Sequence, residues 1–516
     1  MEAFVQNNLQ SIAWYRPELA LTFGALALYL LDLVWRRSPA RRALLAASTL
    51  GVFGLAAAFL AMQPQESTSL FNGLVASDAF AIFFKWLFLA AGSLTVLIAI
   101  QGDEFPEARL GEFVSLLVSI VLGLFVMASA TNLLTIYLGI ELVSMVSYVL
   151  AGYRKGDEKA TEASLKYVIY GGVASGTMLF GMSWLYGMLG TTNVLELAPR
   201  LAEAAVRVQA IGPASLAAGR LAFIVSLVFI TAGIGYKIAS VPWHMWCPDV
   251  YEGAPTPFTG FLSVAPKAAG FAVALRLFYG AFGTVPGADG FSHAVADIPW
   301  PAIFGVLSAI TMTLGNLTAL SQTNLKRMLA YSSIAHAGYT LMGLAAVSVI
   351  GTQGVLLYML VYLVMNLGAF LAIIVVAQAT GSETIHDCRG LAHRSPLAAV
   401  AFAIFLFSLT GLPPFAGFTA KWYLFYAVVE RMAGPGGGWY FVLALIGALN
   451  TAVALFYYAR IIRSMFLEAP TTETAIQPRW GQAALLGAFS VLLLVFGVWW
   501  NPIVAWSQHA LTMLRA

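Results

Sequence analysis

Long apolar runs recur along the whole chain, separated by short polar interruptions. Runs of roughly bilayer-spanning length are centred near residues 26, 52, 88, 120, 140, 175, 232, 268, 310, 337, 365, 412, 450 and 492. This pattern predicts fourteen membrane-crossing helices and an all-α membrane protein. The longest interruption, about residues 190–220, is too short for a domain, and its stretch LELAPRLAEAAVRV predicts a short amphipathic surface helix. The chain therefore reads as one polytopic membrane domain over residues 1–516.

Two of the predicted helices are interrupted by proline in a similar way. The seventh reads GIGYKIASVPWHMW, with Lys237 before Pro242, and the twelfth reads FSLTGLPPFAGFTAKWY, with Pro413 and Pro414 before Lys421. A mid-membrane proline frees backbone carbonyls, which is tolerated where the gap is buried or lines a wet cavity. Corresponding broken segments in two parts of a chain point to an inverted-repeat transporter whose route passes the breaks. An odd offset of five spans forces opposite orientation. The expected units are a first inverted five-helix repeat over 110–282 and a second over 298–466, with flanking helices in 17–100 and 480–506.

Composition changes the picture only by exclusion. The chain is 60% hydrophobic and 10% charged, with 47 Gly and 34 Phe, which no soluble domain resembles. Cys247 and Cys388 lie far apart without CxxC spacing, so no disulfide framework, iron–sulfur site or zinc site is expected. There is no strand-associated GxGxxG and no Walker A sequence, and the glycine cluster Gly434–Gly438 reads as a loop. No nucleotide, metal or electron-carrying cofactor is expected in this chain, and no nucleic-acid partner. An N-terminus opening on Glu2 lacks a basic n-region, so no cleaved signal peptide is expected.

The basic residues orient the helices. If Arg36, Arg37, Arg41 and Arg42 lie in the cytoplasm, alternation adds Arg109, Arg154, Lys155, Lys159, Lys326, Arg327, Arg389, Arg394, Arg460, Arg463 and Arg479 to the same side. The opposite side holds Arg16, Arg200, Arg207, Arg220, Arg431 and Arg515. Fifteen against six places both termini on the outer face.

The candidate chemistry is the charge left inside the apolar runs: Glu141, Lys166, Lys237, Lys267 and Lys421. Each charge at a bilayer centre costs ~2.5–3.5 kcal/mol, so five cost on the order of 10 kcal/mol, comparable to the stability of an ordinary domain. Snorkelling or structural pairing suffices for one lysine; for five groups a buried proton or ion route is the better reading. Tyr137, Glu141, Ser144 and Tyr148 share one helix face, and Lys166 stacks one turn from both Glu162 and Tyr170. Ser332, His336 and Tyr339 form another polar stripe; histidine exchanges protons near neutral pH, although alone it is more often a packing residue. Burial favours the neutral form of a lysine and a nearby carboxylate favours the charged form, so moving a carboxylate loads or releases a proton. One mid-membrane acid against four lysines disfavours a sodium site. Lys85, with Asp78 two turns earlier, reads as a snorkelling or structural pair.

At these residues the chain resembles the antiporter-like membrane subunits of respiratory complex I (NADH-quinone oxidoreductase) and of multisubunit cation/proton antiporters. The resemblance is carried by YKIASVPWHMWCPDVYEGAPTPFTGFLSVAPKAAG, LGIELVSMVSYVL, LKYVIYGG, NLKRMLAYSSIAHAGY and GLPPFAGFTAKWYLF, and covers nearly the whole chain. Lysine at 421, where the M branch typically has glutamate, together with LKYVIYGGVASG and HDCRGLAHRSP, is most similar to the N branch. The resemblance implies that Glu141 pairs with Lys237 as a charge-modulating couple with Lys166 close by. It implies that Lys267 is a central relay linked through His336 and water to Lys421. Cys247 stands where the family pattern suggests threonine.

The implied function is proton translocation within a redox-driven quinone reductase, with flavin and iron–sulfur clusters in partner subunits. The implied partners are other complex I membrane subunits, including a neighbouring antiporter-like subunit and small membrane subunits, in the bacterial inner membrane. A sodium/proton antiporter subunit and a non-pumping scaffold are the competing readings.

Overall fold

The computed structural model describes residues 2–64, 66–105, 109–211, 213–283, 294, 298–434, 437–470 and 474–511. The chain is built almost wholly of helices, because in a bilayer each backbone N–H and C=O must find its partner within the protein. In order they are α1 (Glu2–Trp14), α2 (Arg16–Trp35), α3 (Arg41–Ala61), α4 (Ala79–Ala99), α5 (Leu110–Ser129), α6 (Leu133–Ala151) and α7 (Glu158–Leu189). Next come α8 (Leu197–Ile211), α9 (Pro213–Ile238), α10 (Trp246–Gly253), α11 (Thr256–Phe282), α12 (Trp300–Ala319), α13 (Leu325–Ala345) and α14 (Val349–Thr380). The last are α15 (Leu391–Arg394), α16 (Pro396–Thr410), α17 (Ala416–Arg431), α18 (Gly437–Leu467), α19 (Trp480–Val498) and α20 (Asn501–Leu511). One small antiparallel hairpin, β1 (Thr68–Leu70) with β2 (Val75–Ser77), closes the α3–α4 connection.

Among the described residues twelve helices are long and apolar enough to cross a membrane. They account for twelve of the fourteen predicted centres. The centre near 337 falls in α13, which is 21 residues long but carries serines, His336 and Tyr339. The centre near 412 falls in the gap between α16 and α17. The amphipathic segment forms α8. Arg515 and part of the Gly434–Gly438 cluster lie outside the described residues, as does the side chain of Arg207; Gly437 and Gly438 open α18 rather than sitting in a loop.

Burial sorts the helices into an interior and a rim. The most apolar windows of α11 and α14 are 100% and 94% buried, whereas those of α2, α3, α7, α18 and α19 are 33% buried and present the rest outward. Helices apolar all round belong inside; α11 and α14 pack on each other, and α13 packs on both, so the most enclosed part of the molecule lies among these three. Helix α12 crosses α13 closely because Gly338 has no side chain: a Cβ there would lie 2.6 Å from the Met312 nitrogen.

The flanking helices are tied on by buried ion pairs that differ from the expected one. Lys85 does not pair with Asp78. Its ammonium is 2.6 Å from Glu18 on α2, both side chains being almost fully buried. Asp78 instead caps α4 through the Ala81 N–H and accepts two bonds, 2.8 and 3.0 Å, from the guanidinium of Arg276 on α11. Arg41, counted as a loop residue, opens α3 and is buried against Asp32 at 2.6 Å. Glu18, Asp32 and Asp78 all sit at helix ends, unlike Glu141 in the middle of α6.

Candidate functional site: a buried line of lysines, tyrosines and histidine

Helix α9 stops at Ile238 because the segment SVPW cannot continue it: Pro242 lacks an N–H, and Ala239 adopts φ +58°. The polar backbone exposed by the break is re-satisfied from neighbours. The Val241 N–H donates to the Thr311 hydroxyl at 3.1 Å, and the Trp246 indole donates to the Tyr236 carbonyl at 3.1 Å. Lys237 projects from this end of α9, is 2% exposed, and donates to the Ser144 hydroxyl of α6 at 2.8 Å.

Glu141 lies one turn from Ser144 on α6 and is half-buried, with Oε1 accepting no hydrogen bond from a described residue. Its field reaches Lys237, but the two are not joined by an ion pair among the described residues. The expected couple is thus spaced by a serine. Lys166 stands apart from it: its ammonium is 2.6 Å from Glu162 and 2.5 Å from Asp249 on α10. Asp249 and Glu252 are in turn held by Arg327 of α13, at 2.6 and 3.1 Å. These ion pairs clamp the short helix α10, which follows the first break, between α7 and α13.

Lys267 occupies the middle of α11, immediately after Pro266, whose ring removes the donor for the Leu262 carbonyl. Its ammonium is 2% exposed and donates to the Ser333 carbonyl at 2.9 Å and the Ser333 hydroxyl at 2.6 Å. The same hydroxyl accepts from Tyr362 at 2.9 Å and lies 3.4 Å from the Tyr251 hydroxyl. The serine that meets Lys267 is therefore Ser333, not the expected Ser332. Ser332 is hydrogen-bonded to Tyr458 on α18.

His336 points inward, 3% exposed, with Nδ1 hydrogen-bonded to Tyr358 and Nε2 3.1 Å from the Tyr458 hydroxyl. One turn further, the Tyr339 ring lies under Lys421, whose Nζ is 4.4 Å from the ring centre. A cation held over an aromatic face is favoured by the ring quadrupole.

The second break places Lys421. Helix α16 ends at Thr410 with Gly411 at φ +88°, and α17 resumes at Ala416. Lys421 donates to the carbonyls of Leu409 and Thr410 at 3.1 and 2.8 Å, so it satisfies acceptors that the ended helix leaves open. A Cβ at position 411 would lie 2.7 Å from the Lys421 side chain, which gives glycine a second reason to be there.

Tyr251, Tyr358, Tyr362 and Tyr458 were not anticipated. Tyr358, Tyr362 and Asn366 recur at i, i+4 and i+8 on the otherwise apolar α14, a polar stripe visible in the sequence. Tyr458 offered no such signal, since its neighbours on α18 reveal its role only once α18 packs against α12 and α13.

Residues 130–451 match the transmembrane family of NADH:quinone oxidoreductases and Mrp antiporters. The chain belongs to that family. Among curated relatives it is 66% identical over 521 residues to NADH-quinone oxidoreductase subunit N of Anaeromyxobacter sp. (strain Fw109-5), covering 100% of both chains. It is 45% identical to NADH-quinone oxidoreductase subunit N 2 of Sorangium cellulosum (strain So ce56), again over 100% of both. In shape it matches a chain of respiratory complex I from Thermus thermophilus with TM-score 0.74 and 29% identity, covering 95% of this chain and 98% of that one. A chain of the Mrp complex from Dietzia sp. DQ12-45-1b shares the fold, with TM-score 0.75 at 20% identity over 96% and 97% of the two chains.

Proposed function

We propose that the chain is the subunit-N-type, proton-translocating membrane subunit of a redox-driven NADH-quinone oxidoreductase, with the redox chemistry in other subunits. The observation that carries this reading is a division among its buried cations. Lys85, Arg276 and Arg41 each hold a carboxylate. Among the described residues Lys237, Lys267 and Lys421 hold only neutral partners: a hydroxyl, a serine hydroxyl and carbonyl, and two carbonyls. A buried ammonium without a counter-ion is costly, and the cost vanishes when the proton leaves. Among the buried lysines, Lys85 and Lys326 are paired with carboxylates and these three are not; a lysine can release its proton, which an arginine held by carbonyls, such as Arg394, cannot.

In this reading Lys267 is the central relay; Ser333 with Tyr362, and His336 with Tyr458, supply hydrogen-bonding groups on the way to Tyr339 and Lys421, and water bridges the gaps between them. Hydroxyl and imidazole groups both accept and donate, which bare hydrocarbon cannot do. Glu141 modulates Lys237 by its field, and Lys166 acts through its hold on Asp249. The two broken helices, α9–α10 and α16–α17, lie in corresponding places of two inverted repeats, 110–282 and 298–466, with the positively charged loops on the cytoplasmic side of the bacterial plasma membrane. The partners are the other membrane subunits of complex I.

The test is Lys267→Ala in membranes containing the assembled complex. Quinone reduction coupled to proton translocation is expected to collapse while the complex assembles. Normal coupled translocation by a well-assembled variant would sink the reading.

A further inference from the structure

Helices α12, α13 and α18 meet over a set of amides and hydroxyls that the groups described above do not use. Asn316 on α12 and Asn450 on α18 are both buried. Asn316 donates through Nδ2 to the Asn450 Oδ1 at 3.1 Å and to the Tyr339 hydroxyl at 3.4 Å. Its Oδ1 accepts from the Tyr457 hydroxyl at 3.0 Å. Asn450 donates through Nδ2 to the Thr313 hydroxyl at 3.1 Å and to the Ile446 carbonyl at 3.0 Å. Thr451, the next residue of α18, places its hydroxyl 3.3 Å from that of Tyr339. Every side-chain N–H of both asparagines thus has an acceptor. A buried network satisfied throughout fixes one arrangement of its members.

Apolar side chains would pack these helices without the cost of burying amides, so the amides need a reason. An amide is not a titratable group, so this network does not extend the proton route itself. It meets the route at the Tyr339 ring, whose centre is 4.4 Å from Lys421 Nζ. The Lys421 ammonium has three N–H groups, and its two hydrogen bonds go to the Leu409 and Thr410 carbonyls. Its remaining contact is the aromatic face. That attraction requires the cation to lie over the face of the ring, since the edge carries the opposite partial charge. The outer torsion of a tyrosine is soft, so a ring held only by its own rotamer can turn. Bonds to its hydroxyl from α12 and from α18 take that freedom away.

We infer that Asn316, Asn450 and Thr451 are positioning residues for Lys421. They hold the Tyr339 ring face-on to the ammonium, so that the lysine rests on an aromatic surface while it carries its proton. This rests on the reading of Lys421 as a proton-exchanging lysine. Asn316 is the hub, because it alone touches Tyr339, Tyr457 and Asn450 among the described residues. Asn450 orients that hub from α18, and Thr451 holds the Tyr339 hydroxyl from the same helix.

The experiment uses inverted membrane vesicles containing the assembled complex, with the initial rate of NADH-driven acidification as the readout. Thr451→Val replaces the hydroxyl by a methyl group at nearly constant volume, and a severalfold fall is expected. Thr451→Ser keeps the hydroxyl and is expected to match the wild type, whereas a mere packing role would predict the reverse order. Tyr339→Phe keeps the ring but cuts both bonds, and is expected to fall at least as far as Thr451→Val. Adding Thr451→Val to Tyr339→Phe is expected to cause no further loss, because Thr451 acts through the Tyr339 hydroxyl. Asn450→Leu is expected to fall as Thr451→Val does; if it does not assemble, the Thr451 and Tyr339 variants decide by themselves. A wild-type rate in Thr451→Val, or losses that multiply in the Tyr339→Phe background, would overturn the positioning role. Lys421→Ala separates the two claims: a normal rate there would overturn the reading of Lys421 itself, whereas its loss with a normal Thr451→Val would overturn only the positioning role.

Discussion

Asp78 shows how a buried charge that serves structure should respond to perturbation. Its carboxylate accepts two bonds from Arg276, at 2.8 and 3.0 Å, and both side chains are less than 10% exposed. It also caps α4 by accepting from the Ala81 N–H at 2.7 Å. Removing one partner of a buried pair costs ~3–5 kcal/mol, because the other charge is left without compensation. Losing the cap adds about 1 kcal/mol. Asp78→Ala should therefore destabilise by about 4–6 kcal/mol, and Asp78→Asn, which keeps a capping oxygen, by about 3–5 kcal/mol.

Arg276 keeps its two bonds to the Ala128 carbonyl in either variant, which sets the lower end of the range. The double variant Asp78→Asn/Arg276→Met removes the stranded charge as well. It should recover most of the loss, since replacing a whole buried pair by apolar groups is often neutral. The measurement is denaturant or thermal unfolding of the detergent-solubilised protein, evaluated as a double-mutant cycle. If Asp78→Asn were as stable as the wild type, or if the double variant were worse than the sum of the singles, the pair would not be the tie between α4 and α11 described above.

Further outcomes are expected at the Lys237 site, at Lys421, at Tyr458 and in the topology. Lys237→Ala should abolish coupled proton translocation while leaving assembly largely intact. Ser144→Ala, which removes a hydrogen bond to a charged group, should weaken the Lys237 site by ~1.5–3 kcal/mol; both are checked by proton pumping in assembled membranes. Lys421→Arg should fail because arginine cannot pass its proton on. Lys421→Glu should fail too, although a sister branch carries glutamate there. It would face the Leu409 and Thr410 carbonyls at the negative end of α16, and robust pumping by either variant would refute this geometry. Tyr458→Phe, which strips His336 and Ser332 of a shared hydroxyl, should reduce pumping without changing the amount of complex on a native gel. A topology reporter inserted near Lys155 should read as cytoplasmic and one fused after Ala516 as external; the reverse would overturn the orientation drawn from the basic residues.

Much of this protein follows from local pattern alone. Twelve of the fourteen expected spans were legible because a bilayer demands about twenty apolar residues per crossing, and those runs are contiguous in sequence. The two breaks were legible because proline acts on its own backbone. The candidate lysines stood out because a charge in an apolar run is expensive wherever the helix packs. Partnership was not legible. Lys85 has Asp78 two turns away, yet finds Glu18, which is 67 positions distant in sequence, because α2 and α4 both pack on α3 and α5. Lys326 reads as a loop lysine from its neighbours NLKR, and only the approach of the α10–α11 connection and Glu383 buries it. That Ser333 rather than Ser332 meets Lys267 is decided by how α13 packs against α11 and α14. Sequence determines which groups are costly to bury, since that cost belongs to the residue. Tertiary packing decides which of them meet a carboxylate and which are held by neutral groups, since pairing belongs to helices far apart in the chain.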